Sequence, residues 1–216
     1  MLNNRLFKDR KDAGEQLALS LEKYKNKNVL VLGIPRGGVE IAYYVAKYLN
    51  AELSLIISKK IPHPFHPEYG IGAISEGNIV YIPPYISVNV EVLYPLIEEL
   101  KEEIHRRVMI YRAGKPLPEI KDRVVIIVDD GIATGVTFIP AIRLCHKLKA
   151  SKVIIAAPVS GKEPNKDLNE ADEHYILRQP EQFYGVGLTY ENFPQLTDED
   201  VLLYLSKAKA FNNAIK

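Results

Sequence analysis

The segment Val124-Val125-Ile126-Ile127-Val128-Asp129-Asp130 constrains the fold of this chain more than any other. Five consecutive apolar residues cannot lie on a sheet with one wet face, because every second side chain would stand in water. They fit a central parallel strand covered on both faces. Two adjacent carboxylates end the run. A loop of small residues follows, and a helical pattern begins at about 136 and continues to 149. Short apolar runs recur at Val29–Leu32, Leu53–Ile57 and Val153–Ala157, each beside a segment of helical periodicity. This alternation predicts an α/β fold with a mainly parallel central sheet flanked by helices. In such sheets ligands gather at the carboxyl ends of the strands.

Other segments supply the helices and connections. Asp12 with Glu15 reads as a capping box for a helix over 12–25, with Ala13, Leu17, Leu21 and Tyr24 on one face. Residues 39–49 form a second helix. Residues 59–70 hold three prolines and no apolar period, which predicts a long loop. Ile71–Ser75 and Ile79–Ile82 around Glu76-Gly77-Asn78 predict a hairpin. Val90, Leu93, Ile97, Leu100, Ile104, Val108 and Tyr111 mark a helix over 89–112. Its charged face reads as solvated surface, and its apolar stripe is a candidate subunit interface, with a homodimer the expected assembly. A short helix at 164–172 and a strand at 174–177 come next. An irregular, aromatic stretch follows over 180–197. Thr197 and Asp200 then cap a last helix over 198–211.

With 216 residues and no repeat or linker, the pattern describes a single domain over 1–216. The net charge of +1 gives no electrostatic case for nucleic acid or an anionic membrane. Cys145 is the one cysteine, which excludes an intrachain disulfide and fits a reducing compartment. Burial on the apolar face of its helix is expected. The first 14 residues are polar, and no apolar run approaches the ~20 residues of a membrane span. A cytoplasmic protein is expected.

The loop after the central strand reads Gly131-Ile132-Ala133-Thr134-Gly135-Val136-Thr137. Small residues let backbone N–H groups approach an anion, and the helix start adds positive potential. Thr134 and Thr137 can donate to phosphate oxygens. Asp129 and Asp130 can accept from vicinal hydroxyls or help hold a hydrated cation. Phosphate below and diol above is the shape of a ribose 5-phosphate. A Walker A loop is excluded, since no Gly-Lys-Ser/Thr occurs.

These residues resemble the 5-phosphoribosyl-1-diphosphate (PRPP) signature of type I phosphoribosyltransferases. The Gly33-Ile34-Pro35-Arg36-Gly37-Gly38-Val39 segment is similar to that family's pyrophosphate loop, which often carries a non-proline cis peptide. Further pieces resemble a subgroup of that family sometimes fused to hydrolase domains. They are Phe7-x-Asp9-Arg10-x-Asp12-Ala13-Gly14, Lys60-Ile61-x-x-Pro64, Pro67-Glu68-x-x-Ile71-Gly72-Ala73 and Phe183-x-x-Val186-Gly187-x-x-Tyr190-x-x-Phe193-x-Gln195. Together they run the length of the chain.

The resemblance implies a type I phosphoribosyltransferase fold with a small hood, here about 180–196, and the two terminal helices packed nearby. It implies a Mg²⁺-dependent transferase that takes PRPP and a small, aromatic nitrogenous acceptor of unassigned identity and releases pyrophosphate. Residues 131–137 would hold the 5-phosphate. Arg36, Gly37 and Gly38 would hold pyrophosphate. Asp129 and Asp130 would fix the ribose and, directly or through water, the metal. The long loop would close over the centre, bringing Lys59, Lys60 and Glu68, with Lys60 counted among the catalytic groups. Phe183, Tyr184, Val186 and Tyr190 would line the acceptor hood, Tyr184 as the stacking ring. His63 and His66 read most simply as a solvated loop pair. The rival expectation is a regulator of the same fold that senses PRPP or a nucleotide without catalysis. Intact pyrophosphate and long loops, and no visible DNA-binding segment, favour the enzyme.

Overall fold

The computed structural model describes residues 6–64, 66–86, 88 and 90–215, with backbone alone at 67–69, 90 and 213–215. Chain order begins with α1 (Arg10–Ser20), β1 (Val29–Gly33), α2 (Gly37–Leu49) and β2 (Glu52–Leu55). Next come β3 (Ser58–His63), β4 (His66–Ser75), β5 (Ile79–Tyr81) and α3 (Val90–Arg112). The second half holds β6 (Val124–Val128), α4 (Phe138–Lys147), β7 (Lys152–Val159), β8 (Glu173–Arg178) and α5 (Asp198–Ile215). No helix among the described residues is long and apolar enough to cross a membrane.

Five parallel strands form the central sheet in the order β2-β1-β6-β7-β8. The strand pleat sends alternate side chains to opposite faces. Val29, Val31, Ile126, Val128, Ile154 and Ala156 pack beneath α1 and α2. Leu30, Leu32, Val125, Ile127, Val153 and Ile155 pack with Phe138, Ile142 and Cys145 of α4 on the other face. That is why the strands read as unbroken apolar runs. Each such side chain contributes about 1.5–3 kcal/mol on burial. Burial also pushes the Cys145 thiol up to about 12.

The order has a consequence for function. From β1 the chain crosses to β2 on one side, and from β6 it crosses to β7 on the other. The carboxyl ends of β1 and β6 therefore flank the point where the winding reverses, and a crevice opens there.

Several expectations are corrected. The helix predicted at 12–25 begins at Arg10, because Asp9 and not Asp12 is its N-cap and accepts from the Asp12 amide at 2.8 Å. Asp12 reaches back instead to the Lys8 amide at 3.0 Å. The long loop at 59–70 is an antiparallel hairpin, β3 with β4, joined to β5 in a separate three-stranded sheet. Its prolines hid it. Pro62 sits at a register shift, Pro64 in the turn, and Pro67 where β4 pairs with β3 alone. Proline is tolerated at bulges and edges because its missing N–H removes no ladder bond there. Ile61, Ile71 and Ile74 bury the base of this hairpin beneath Leu93 and Ile104 of α3. Leu93, Ile104 and Tyr111 of the α3 stripe are thus covered within the chain, while Ile97, Leu100 and Val108 are half-buried.

The Glu76–Asn78 turn between β4 and β5 uses left-handed backbone at Gly77 (φ 74°) and Asn78 (φ 58°). Glycine and asparagine tolerate that region best. The Glu76 carboxylate pairs with Arg112 and accepts from the Ile57 amide at 2.9 Å, tying the hairpin base to α3. At the last helix Thr197 and Asp200 form the expected reciprocal cap, with bonds of 2.9 and 3.2 Å.

Candidate active site

The site begins where β6 ends. Asp130 donates its amide to Asp129 Oδ1 at 2.8 Å, so the two carboxylates turn back over the strand end. Burial raises the Asp129 carboxyl well above the usual carboxylate range, and the neighbouring Asp130 charge raises it further. Burial raises Asp130 too, while the Arg10 guanidinium pulls it back. Arg10 Nε donates to Asp130 Oδ2 at 2.9 Å.

The Pro-Arg-Gly-Gly loop meets this pair across the crevice. The Ile34 amide donates to the Val128 carbonyl at 2.8 Å, and the Pro35–Arg36 peptide is cis. A Cβ on Gly37 would lie 1.8 Å from Asp130 Oδ2. One on Gly38 would lie 2.6 Å from the Val128 carbonyl oxygen and 2.8 Å from the Asp129 Cα. Both glycines are therefore required by the close approach of α2 to the carboxylate turn.

Residues 131–137 wrap the start of α4. Ile132 donates to the Val159 carbonyl at 2.8 Å and bridges to Ser160, pinning the loop to the end of β7. Gly135 has φ 77° and packs on Leu168. Ala133 and Thr134 are exposed, and Gly131 and Thr137 half-buried. Thr137 stands at the N-cap of α4 without a side-chain capping bond, and no acid occupies the first turn. Its hydroxyl and the first helical amides face no competing carboxylate of that helix.

Arg36 begins a cationic network. Its Nη1 lies 3.8 Å from Asp198 at the start of α5, and Arg106 of α3 lies 3.8 Å from the same carboxylate. Tyr111 donates to Asp198 at 2.5 Å. Glu103 accepts from Arg106 and Arg107, each at 2.7 Å, and lies 3.7 Å from Lys59. Four cations thus surround two carboxylates beside the loop. Burial, then the Arg107 charge, lowers the Lys59 ammonium, and Arg36 adds to this. The charged face of α3 is therefore partly recruited rather than wholly solvated.

Strand alternation separates the two hairpin lysines. Lys59 faces α3, whereas the exposed Lys60 lays its stem across Gly70, whose Cβ would lie 2.3 Å from Lys60 Cδ. The Glu68 side chain lies outside the described residues. His63 and His66 oppose each other at the hairpin tip with ring centroids 5.4 Å apart.

The hood lies over the carboxylate loop. Val186 packs on Gly131, where a Cβ would approach it to 2.5 Å, and Phe183 packs on Gly161. Tyr184 is 74% exposed and Tyr190 only 3%. The Tyr190 hydroxyl donates to the Asp130 carbonyl at 2.6 Å, which puts this ring behind the carboxylates. The chain start straps the hood down, with Phe7 bridging Tyr190 and the Glu191 amide donating to the Phe7 carbonyl at 2.9 Å. Arg10 and Phe193 are the residues that sequence reasoning passed over as functional. Their signal was present, as pieces of the quoted motifs, but the fold alone brings Arg10 to Asp130 and Phe193 against the Arg10 guanidinium.

Hard carboxylate oxygens suit Mg²⁺, and two recessed like charges with one arginine are short of positive charge. Among the described residues no group of three or more His, Cys, Asp or Glu could cage a metal. The donor set therefore fits an ion that keeps waters and takes phosphate oxygens from a bound ligand.

Comparison with known proteins agrees with this geometry. Residues 5–191 match the phosphoribosyl transferase domain family. A Mycobacterium tuberculosis (strain H37Rv) protein with a provisional phosphoribosyl transferase name is 36% identical over 209 residues, 94% of this chain and 47% of its own length. The chain thus spans about half the length of the curated relatives it matches. The crystal structure of TT1426 from Thermus thermophilus superposes with a TM-score of 0.79 at 33% identity, covering 93% of this chain and 98% of that one. A Neisseria gonorrhoeae hypothetical protein with bound ppGpp shares the fold alone, with a TM-score of 0.50 at 10% identity, over 98% and 99% of the two chains. This chain belongs to the phosphoribosyltransferase family and has its type I fold.

Proposed function

We propose that this domain transfers the 5-phosphoribosyl group of PRPP to a small nitrogenous acceptor with release of pyrophosphate. One observation carries the reading: the Pro-Arg-Gly-Gly loop and the Asp129–Asp130 turn interlock at the adjacent ends of β1 and β6, where the sheet winding reverses. Residues 131–137 receive the 5-phosphate at the start of α4. Asp129 and Asp130 accept from the ribose hydroxyls. Arg36 and the amides of Gly37 and Gly38 receive the diphosphate, with Lys59 and Arg106 extending the positive field and Lys60 on the hairpin. Asp129 and Asp130 would hold Mg²⁺, directly or through water, and the ion would supply Lewis-acid charge at the leaving diphosphate. The acceptor nitrogen forms the new bond to ribose C1, pyrophosphate leaves with the electron pair of the broken C1–O bond, and the acceptor sheds a proton. The chain orients both reactants, and the hairpin and hood exclude water.

Tyr184, Val186 and Phe183 offer the acceptor face, and Tyr190 supports it from behind. Base stacking on an aromatic ring is worth ~1–3 kcal/mol, so Tyr184→Ala raises the acceptor KM roughly tenfold and leaves PRPP affinity within a few-fold. Joint loss of PRPP binding and folded stability in that variant would make Tyr184 a packing residue. A panel of purines, pyrimidines and small amines with PRPP and Mg²⁺, followed by pyrophosphate release, tests the whole reading. Tight PRPP binding with no release from any acceptor would instead support a sensor.

A further inference from the structure

Arg10 joins the two halves of the site in a way that neither motif foretells. It is 5% exposed, so its charge must be matched by neighbours rather than by water. Three groups match it. Nε donates to Asp130 Oδ2 at 2.9 Å, Nη1 donates to the Pro194 carbonyl at 2.7 Å, and the guanidinium lies 3.7 Å from the Phe193 ring centroid. Phe193 stacks on Tyr190 at 4.7 Å, and the Tyr190 hydroxyl donates to the Asp130 carbonyl at 2.6 Å. These links close a ring. It runs from the Asp130 carboxylate through Arg10, Phe193 and Tyr190 back to the Asp130 backbone.

The ring fixes Asp130 at both its side chain and its main chain, and it fixes the hood to the same residue. Arginine suits the position because a planar guanidinium stacks on an aromatic face and donates in two in-plane directions at once. A lysine ammonium can do only part of this. Local sequence keeps the space open. Asp9 caps α1 so that Arg10 opens the helix, and a Cβ on Gly37 would lie 3.0 Å from Arg10 Nε. A Cβ on Gly187 would lie 3.0 Å from the Phe193 ring.

We propose that Arg10 is a positioning residue that couples the seated hood to the donor carboxylates, so that the donor site reaches full affinity only with the hood docked. The proposal rests on the PRPP reading above. Arg10 itself stands behind Asp130, with Nε and Nη1 engaged by protein groups. Coupling of this kind is a free energy shared between two places, so a change in the hood is felt at the Asp130 carboxylate through Arg10, while the Tyr190 hydroxyl holds the Asp130 backbone.

A double-mutant cycle read by calorimetry, with PRPP and MgCl2 on the full chain, tests this. Arg10→Met removes the charge and keeps the length. Phe193→Leu removes the platform beneath Arg10 without touching Asp130. Arg10→Met weakens PRPP binding about tenfold or more, as loss of a charged hydrogen bond implies. Phe193→Leu weakens it several-fold, and the double variant falls below Arg10→Met by less than that factor, because Phe193 acts mainly through Arg10. Arg10→Lys falls between wild type and Arg10→Met, and replaces it in the cycle where the methionine variant fails to fold. Hydrogen exchange over residues 186–196 rises in both single variants. Unchanged PRPP affinity in Phe193→Leu, or effects that multiply in the double variant, would overturn the coupling. Wild-type protein that does not bind PRPP removes the functional reading itself, and this proposal with it, before any variant is compared.

Discussion

The carboxylate turn with the small-residue loop after it, residues 129–137, and the hairpin of β3 and β4 belong to one candidate site but are built by opposite means. The turn leaves a strand buried on both faces, meets α2 backbone to backbone at Gly38, and is pinned to β7 and to the hood. The hairpin is buried only at its base. Beyond Ile71 its strands pair with each other alone, and its surface carries Lys60, His66 and Gly70 in the open. Under the proposed function a donor phosphate needs fixed amides, whereas a cover over a reacting centre must let substrate in. Dense packing serves the first need and self-contained pairing the second.

The largest expected effect breaks the rigid half chemically. Asp129→Asn with Asp130→Asn abolishes turnover, on the order of a thousandfold or more, and weakens PRPP binding while the fold persists. Calorimetry showing near-normal PRPP affinity in the double variant would remove these residues from the donor site.

A pair of glycine substitutions then compares the halves directly. Gly38→Ala drives a methyl into the Val128 carbonyl and the Asp129 backbone, which cannot swing away. It destabilises by about 1–3 kcal/mol despite the better helix propensity of alanine. Gly70→Ala meets only the flexible stem of Lys60 and changes stability by less than ~0.5 kcal/mol. Equal losses on denaturant unfolding would mean that the hairpin is packed as tightly as the turn.

Motion gives the next contrast. Amides of residues 60–70 exchange quickly in the free protein and slow with PRPP and Mg²⁺, while those of β6 are protected in both states. Unchanged exchange at 60–70 on adding the ligands would rule out the proposed role of the hairpin as a cover.

The smallest effect concerns the tie between hairpin and α3. Hydrogen bonds from Arg106, then Arg107, pull the Glu103 carboxyl down to about 2. A depressed carboxylate stabilises the fold above its unfolded value near 4.5 and loses that contribution as pH falls towards 2. Such a part-exposed pair is worth below ~1 kcal/mol. Unfolding midpoints of wild type and Glu103→Gln should therefore converge between about pH 4.5 and 2. Parallel curves over that window would show that the network contributes nothing to stability.

Much of this was legible before any coordinates. The unbroken apolar runs placed β1, β6 and β7, because a strand buried on both faces admits only apolar residues. The reciprocal Thr197–Asp200 cap was legible because capping is local chemistry between residues three apart. The hairpin at 58–75 was not, because prolines mark a break in periodicity but do not say that their missing donors face an unpaired edge. The cap of α1 was misplaced by three residues, since Asp9 and Asp12 carry the same chemistry and only the backbone distinguishes them.

The sequence by itself determined the sheet class, the small-residue loop after β6, the carboxylate pair and the glycines of the facing loop, since each depends on a short run of residues and its neighbours. Tertiary structure alone decided which charges meet. Arg10 reaches Asp130 across 120 positions of chain and Arg36 reaches Asp198 across 162, while Lys59 and Lys60, adjacent in sequence, part to opposite faces of one strand. Side-chain chemistry is written locally, but an ion pair in a recessed site forms only where the packed sheet carries its two ends together and shuts out the water that would otherwise keep them apart.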